Sequence, residues 1–263
     1  MARYRTRILC SIGNLKVGKD TLIMNITSAT DCPSRQRGLC QVPPGACYAL
    51  RAEKRFPAVR PYRNRQTDVW DQLTAEEIAE DIKVLAGRRR KIPLKYLRMQ
   101  ESGDFRHHGD LVKMSRLADL LKGVVTVYTY TARRDLFPAR TSSNLVINGS
   151  GFMVDNNFKV VNKGQVQAGP RCRGIKGGGC FGCKLCKTKG GKVIQEVLRG
   201  SKKPVGDGKG GVPQNQEDVG DLFVEEGLVE LFSPATRASS GTPSRGKVTQ
   251  EPRTVPPKVK GLW

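Results

Sequence analysis

The sequence predicts an α/β protein: a partial parallel barrel or an open parallel sheet of βα units, with a cysteine-rich metal-binding segment and a disordered C-terminal tail. Strand and helix patterns alternate between about residues 47 and 162, which is typical of parallel βα units. Seven of the eight cysteines fall into two tight groups, and residues 233–263 show no hydrophobic periodicity.

Composition divides the chain into three parts. Residues 1–165 form the predicted core with the first cysteine loop, and residues 166–200 form the metal-binding segment. Residues 201–263 form a flexible basic tail that contains one short acidic amphipathic helix at 219–232. That helix packs on the basic core or docks on a partner, and both interpretations stay open.

The core begins with strand patterns at 7–12 and 21–27, which are joined by a turn-forming stretch and predicted to pair. A helix from Cys47 to Phe56 follows, because no Gly or Pro interrupts it before Pro57. The remaining elements are a helix that starts at the capping box Thr74–Glu77 and ends at Gly87, a strand at 95–100, a helix from about Asp110 to Gly123, and strands at 124–131, 145–148 and 158–161.

Four polar loops each follow a predicted strand. Right-handed crossovers place such loops at one edge of a parallel sheet, where these folds bind ligands. The cysteine loop, ESGDF at 101–105, TARRD at 131–135 and NGSG at 148–151 should therefore converge. The ESGDF stretch fits a helix entry with capping by Ser102 or Asp104 equally well.

The chain is strongly basic, with 46 Lys and Arg against 24 Asp and Glu and a net charge of +22. Residues 1–65 carry thirteen basic against three acidic side chains, and residues 171–209 carry eleven against two. Such an excess attracts polyanions, so nucleic acid is the predicted partner. In the alternative interpretation these side chains are solvated or compensate the charge of metal thiolates.

The first cysteine group is Cys32, Cys40 and Cys47, with seven and six intervening residues. Three protein ligands leave a fourth position open on a zinc ion or a [4Fe–4S] cluster, and open positions bind substrates or cofactors. For a cluster, the expected occupant is S-adenosylmethionine. The alternatives are a structural site completed by His107, His108 or Cys10, and a cysteine pair with one bystander.

The second group contains four cysteines within fifteen residues: Cys172, Cys180, Cys183 and Cys186. Its C-x2-C-x2-C run is typical of [4Fe–4S] ligation, because successive cysteines can reach different irons. Zinc is the alternative, although zinc sites usually separate two C-x2-C pairs by a longer spacer.

The chemistry of these cysteines depends on the compartment. The first residues lack the apolar run of a secretory signal, and no stretch approaches the roughly 18 apolar residues of a membrane span. We therefore expect a cytoplasmic protein without a membrane partner. Clustered thiols there bind metal more often than they form disulfides, although disulfides stay open as an alternative.

A series of short motifs resembles the gene product eighty-eight family of uncharacterised phage proteins. The matching stretches, which span residues 8–190, are Gly13-Asn14-x-Lys16-x-Gly18-Lys19, Cys47-Tyr48-Ala49, Ser102-Gly103-Asp104-Phe105, Tyr128-Thr129-Tyr130-Thr131 and Cys180-x-x-Cys183-x-x-Cys186. The layout also resembles, more distantly, a partial-barrel radical S-adenosylmethionine enzyme: a first strand, a three-cysteine loop followed by an aromatic residue, and a Gly-containing acidic loop after the next strand.

That second resemblance implies which residues hold the cofactor. The loop after the second strand would bind the amino group of its methionine, and Glu101, Ser102, Gly103 and Asp104 occupy that loop here. Tyr48 would follow the cluster ligands. From the residues themselves, Arg133 at a strand end could hold a phosphate or a carboxylate.

The leading hypothesis is therefore an iron–sulfur protein, namely a radical S-adenosylmethionine-like enzyme acting on nucleic acid or a nucleotide. One alternative is a non-enzymatic nucleic-acid-binding phage protein stabilised by metal. Another is a phage protein that binds a host factor through residues 219–263. For a phage protein, the expected compartment is the cytoplasm of the host cell.

Overall fold

The computed structural model describes residues 6–14, 16–161, 163–174 and 179–197. The predicted tail, with its helix at 219–232, lies outside these residues. The described part contains no helix that is long and apolar enough to cross a membrane.

The fold is α/β, with seven strands in one open sheet. The elements are β1 (Ser11–Ile12), β2 (Thr21–Met24), α1 (Pro33–Gln36), α2 (Tyr48–Arg55), α3 (Val59–Gln72), α4 (Ala75–Gly87), β3 (Tyr96–Met99), α5 (His108–Leu120), β4 (Thr126–Thr131), β5 (Leu145–Ser150), β6 (Asn156–Val161) and β7 (Val193–Val197). The strands lie side by side in chain order, and the sheet does not close into a barrel. Strand β1 is antiparallel to β2, as the predicted pair allows, and every later pairing is parallel.

One face of the sheet carries the hydrophobic core. Leu22, Leu97, Val127 and Ile147 are fully buried on β2 to β5. Helices α4 and α5 cover them with apolar positions three and four residues apart, as amphipathic helices do. The predicted capping box starts α4, since Thr74 Oγ1 accepts from the Glu77 amide and the Glu77 carboxylate accepts from the Thr74 amide.

The opposite face of the sheet is aromatic and polar. Neighbouring rings of Tyr96, Tyr128, Tyr130 and Phe158 meet edge to face, with centroids 5.1 to 6.3 Å apart. The guanidinium of Arg98 lies 5.3 Å from the Tyr130 ring centroid on this same face. The late cysteine segment packs here, so a metal-binding candidate lies against a polar surface rather than the core.

Two elements were missing from the prediction. Helix α3 was overlooked because the residues it buries include Arg63 and Gln66, which do not produce an apolar stripe. Strand β7 lies in what was predicted to be metal-binding segment and linker, yet it pairs in parallel with β6. Residues 193–197 therefore extend the same sheet as the core strands.

Candidate metal centre

The predicted convergence of loops occurs at the carboxyl ends of the strands. The buried Asp104 carboxylate accepts hydrogen bonds from Ser34 Oγ in the cysteine loop, from Thr131 Oγ1 (2.6 Å) and the Ala132 amide (2.8 Å) at the end of β4, and from the Phe105 amide (2.8 Å). Burial raises the pKa of Asp104, and these hydrogen bonds oppose that rise. One carboxylate thus joins the loops that follow β2, β3 and β4.

Two glycines allow these loops to approach closely. Gly103 has a φ of +74°, and a Cβ there would lie 2.6 Å from the carbonyl oxygen of Thr27. Gly151, after β5, also has a positive φ, and a Cβ would lie 2.5 Å from the Gln41 side chain. The absence of a side chain at both positions therefore brings the loops after β3 and β5 against the cysteine loop.

The three early cysteines are neighbours within this loop. Cys32 precedes α1 and Cys47 precedes α2, while Cys40 lies between the two helices. Burial raises the pKa of Cys32 to about 11, with a smaller effect in the same direction from the charge of Cys40. Burial also raises the pKa of Cys40, and the charge of Cys47 adds to it. The thiols are thus close enough to influence one another's ionisation.

A buried ion pair holds the start of the cysteine loop. Glu53 of α2 accepts from the Ala29 amide (2.6 Å) and the Thr30 amide (2.8 Å), and Arg63 of α3 donates to it at 2.8 Å. Both charged side chains are almost inaccessible to solvent. Although burial acts in the opposite direction, the hydrogen bonds lower the pKa of Glu53. Asp104 fixes the loop just after Cys32, and Glu53 fixes it just before.

Tyr48 connects the cysteine loop with the polar face of the sheet. Its hydroxyl donates to the Glu101 carbonyl oxygen at 2.6 Å and accepts from Arg98 at 3.1 Å. The Glu101 carboxylate accepts from Asn14 at 2.8 Å and lies 3.8 Å from the Arg98 guanidinium. The Nε of Arg98 is buried and has no hydrogen-bond partner in the described part of the chain. A donor for an additional acceptor is therefore present beside Tyr48.

The four late cysteines lie on the polar face beneath this network. Burial raises the pKa of Cys186 to about 12, opposed by a hydrogen bond with Tyr130, and the charges of Cys172, Cys180 and Cys183 raise it further. The other three late thiols are therefore near enough to Cys186 for their charges to act on it. The charge of Arg98 lowers the pKa of Cys180 against the larger effect of burial, which places the guanidinium near this group as well.

Polar contacts anchor the late segment to the sheet. Asn148 of β5 donates to the Cys186 carbonyl oxygen at 3.0 Å. The buried Lys187 ammonium donates to the Cys180 carbonyl oxygen at 3.1 Å and lies 4.0 Å from the Tyr96 ring centroid. The late segment is thus held to β5 through the Cys186 backbone and to β3 through the Lys187 side chain.

All eight cysteines lie in the described part, and none of them forms a disulfide there. Among the described residues, no three Cys, His, Asp or Glu side chains converge tightly enough to hold a single metal ion. Nucleophilic cysteines have lowered pKa values, whereas burial raises the pKa of Cys32 and Cys186. Burial therefore does not activate these two thiols as nucleophiles.

Two of the other candidate ligands, Cys10 and His107, lie in structural positions, while His108 is exposed. Cys10 packs against the hydrophobic core, and burial raises its pKa to about 12. His107 caps α5, where its side chain accepts from the Asp110 amide.

The model of the family described as Gene product 88 matches residues 7–169, which is more than half of the chain. This chain belongs to the Gene product 88 family. No curated protein and no solved structure has significant similarity to it. None of the comparisons supports the more distant resemblance to radical S-adenosylmethionine enzymes.

The Gene product 88 match covers only part of the candidate site. It includes Cys32, Cys40 and Cys47 together with the Asp104 and Glu53 anchors, and it ends before Cys172. The early cysteine loop and its anchors therefore lie within the family region, while the late cysteines lie beyond it.

The predicted cofactor-binding residues of this Gene product 88 protein differ in whether their polar groups already have hydrogen-bond or ion-pair partners within the protein. Ser102 Oγ donates to the Thr27 carbonyl oxygen, and the Asp104 carboxylate is fully hydrogen-bonded. Arg133 donates to two carbonyl oxygens and pairs with Asp135. Tyr48, which is half exposed, and the largely buried Glu101 instead border the buried Nε of Arg98, which has no partner among the described residues.

Arg98 and Lys187 belong to this site, although the sequence did not single them out. The signal for Arg98 was a charged residue within the otherwise buried strand pattern KYLRMQ at 95–100. For Lys187 there was no comparable signal, because it is one of many lysines beside the last cysteine.

We expect Tyr48→Phe to lower the free energy of unfolding by about 1 kcal/mol, because it removes the hydroxyl between Arg98 and Glu101. Urea unfolding measures this. Tyr62→Phe is the control, since the Tyr62 hydroxyl makes no hydrogen bond to the described residues. Equal stability of both variants would contradict a structural role for the Tyr48 hydroxyl.

Proposed function

We propose that this chain is an iron–sulfur protein of radical S-adenosylmethionine-like type that acts on nucleic acid or a nucleotide. The observation that supports it best is the position of Cys32, Cys40 and Cys47. The three neighbouring thiols lie in the loop after β2, at the sheet edge where the loops after β3, β4 and β5 also meet. Parallel α/β folds bind ligands at that edge.

In this proposal the early trio holds one cluster and leaves one iron position open. When bound, such a cluster would pass an electron from an external reductant to S-adenosylmethionine and cleave it. The free guanidinium N–H of Arg98 and the hydroxyl of Tyr48 would then hold polar groups of the ligand beside the cluster. Glu101 orients both groups through its carbonyl oxygen and carboxylate.

The late quartet would hold a second cluster with an auxiliary or structural role. Its C-x2-C-x2-C run suits [4Fe–4S] better than zinc, which is the alternative for Cys172, Cys180, Cys183 and Cys186. The Tyr130 hydroxyl, which acts on the Cys186 thiol, and the charge of Arg98, which acts on Cys180, would tune such a centre.

Iron and sulfide counts on anaerobically purified protein test this proposal. We expect about eight irons per chain in the wild type and about four in the variant C32A/C40A/C47A, because each [4Fe–4S] cluster carries four. Cys10→Ala should keep the full count, since Cys10 lies in the core. With reductant, the wild type should cleave S-adenosylmethionine and the triple variant should not. Zinc without iron, or full iron in the triple variant, would disprove it.

A non-enzymatic nucleic-acid-binding function is the second candidate, and the surface of α2 favours it. Arg51, Lys54 and Arg55 are exposed on this helix next to the cysteine loop, while its one acid, Glu53, is buried against Arg63. In this function the metal only shapes a basic surface. Nucleic-acid binding by a protein that cleaves no S-adenosylmethionine would distinguish it from the enzyme.

A further inference from the structure

A basic cleft lies beside the late cysteines and is separate from the contacts of the early loop. It has a volume of about 460 Å³, and its lining residues include Arg171, Arg173, Cys183, Lys184 and Lys192. Within 163–174 and 179–197 the chain carries seven Lys and Arg residues and one acid, Glu196, which pairs with Lys16 at 3.0 Å. The electrostatic potential of the cleft is therefore positive.

The walls of the cleft have defined positions. Arg171 forms a parallel bridge with Gln195 of β7, and the Cys172 amide donates to the Gln195 carbonyl oxygen at 2.8 Å. The facing wall is the turn from Gly182 to Leu185, within the cysteine run that the sheet anchors. At the base, Lys192 donates to Thr188 Oγ1 at 2.7 Å. These contacts fix the backbone that presents the basic side chains.

Three of the basic side chains are available to a ligand. Arg171, Arg173 and Lys184 are exposed, and none of them forms an ion pair with another described residue. Exposed guanidinium and ammonium groups grouped in a concave site bind phosphate groups along a polyanion.

An exposed aromatic side chain comes immediately before the cleft-lining turn in the chain. Phe181 directly precedes Gly182, and 55% of its surface is accessible. It lies over the β1–β2 turn, where a Cβ on Gly18 would approach its ring to 3.1 Å. A ring supported from beneath and open above provides a stacking surface for an unpaired base.

We propose that this cleft binds single-stranded nucleic acid, with phosphates on Arg171, Arg173 and Lys184 and a base stacked on Phe181. A duplex does not fit this arrangement, because its bases are already stacked on each other and leave no free face for the Phe181 ring. This inference rests on the proposed function only in taking nucleic acid as the class of ligand.

Fluorescence anisotropy with a labelled oligothymidylate or oligouridylate of about 12 nucleotides tests the cleft. R171E/R173E/K184E should lower affinity roughly 100-fold and reduce the slope of log affinity against log salt by about 2. Phe181→Ala should lower affinity about tenfold. The control K83E/K91E/K122E makes the same change in charge at exposed residues of α4 and of the turns that lead into β3 and β4, and should change affinity less than about threefold.

Iron and sulfide counts on the same samples separate this inference from the proposed function. Loss of oligonucleotide binding with an unchanged iron count supports the cleft. Equal losses in the cleft and control variants, or tighter binding of a duplex of the same length, would overturn it. If iron is absent from the wild type but the cleft variants still lose affinity selectively, the cleft stands and the proposed iron–sulfur function fails.

Discussion

Replacing Asp104 with asparagine should lower the free energy of unfolding by about 3 kcal/mol, because it leaves buried donors without acceptors. Each carboxylate oxygen of Asp104 accepts from one hydroxyl and one backbone amide: Oδ1 from Thr131 and Phe105, and Oδ2 from Ser34 and Ala132. An asparagine NH2 in either orientation therefore faces a backbone N–H. The hydroxyl groups can rotate, but the amides cannot.

Urea unfolding of Asp104→Asn measures this loss, with Asp68→Asn as the matched control. Asp68 is exposed on α3, so its replacement should leave stability unchanged within error. The Asp104 variant should also lose iron from the early site, because Ser34 lies two residues after Cys32. If the two variants unfold at the same urea concentration, Asp104 does not hold the loops together.

The sequence predicted the regular elements well where the usual patterns were present. The capping box at Thr74–Glu77 and the apolar spacing of α4 and α5 gave the correct helices, and the alternation of strands with helices indicated the parallel sheet. The convergence of the loops also followed from parallel pairing, since it requires only the handedness of the crossovers.

The sequence did not reveal elements whose buried faces are polar. Helix α3 buries Arg63, Gln66 and Trp70, and each side chain is satisfied by a residue distant in sequence. Gln66 accepts from Asn25 at 2.8 Å, and Trp70 donates to Asp110 at 2.9 Å. No local pattern predicts such pairs, because the partner of each side chain is known only once the chain is folded.

The same reason explains what was missed at the candidate site. Arg98 is held by Tyr48, Glu101 and the Tyr130 ring, which come from three separate parts of the chain. The Arg98 guanidinium donates to Tyr48, the residue after Cys47, and its charge also acts on Cys180. Spacing within each cysteine group could not indicate this link.

Glu53→Gln should lower the free energy of unfolding by about 3 to 5 kcal/mol, because it leaves the buried Arg63 without its counter-ion. One oxygen of Glu53 accepts from the Ala29 amide and the other from the Thr30 amide. In either orientation, the NH2 group of the glutamine side chain would therefore face a backbone N–H. Glu76→Gln provides the control. The Glu76–Arg116 pair has the same separation of 2.8 Å, but both side chains are more than half exposed. Removing this pair should therefore leave the free energy of unfolding nearly unchanged.

The stability difference between the wild type and Glu53→Gln should also depend on pH. The pKa of Glu53 in the folded chain lies below its ordinary value of 4.5, so its ionised form stabilises the fold above that pH. As the pH falls through the folded pKa, the carboxylate gains a proton and comes to resemble the amide. Urea unfolding at neutral pH and at successively lower pH should show the difference shrinking, and a constant difference would mean that Arg63 does not depend on the charge of Glu53.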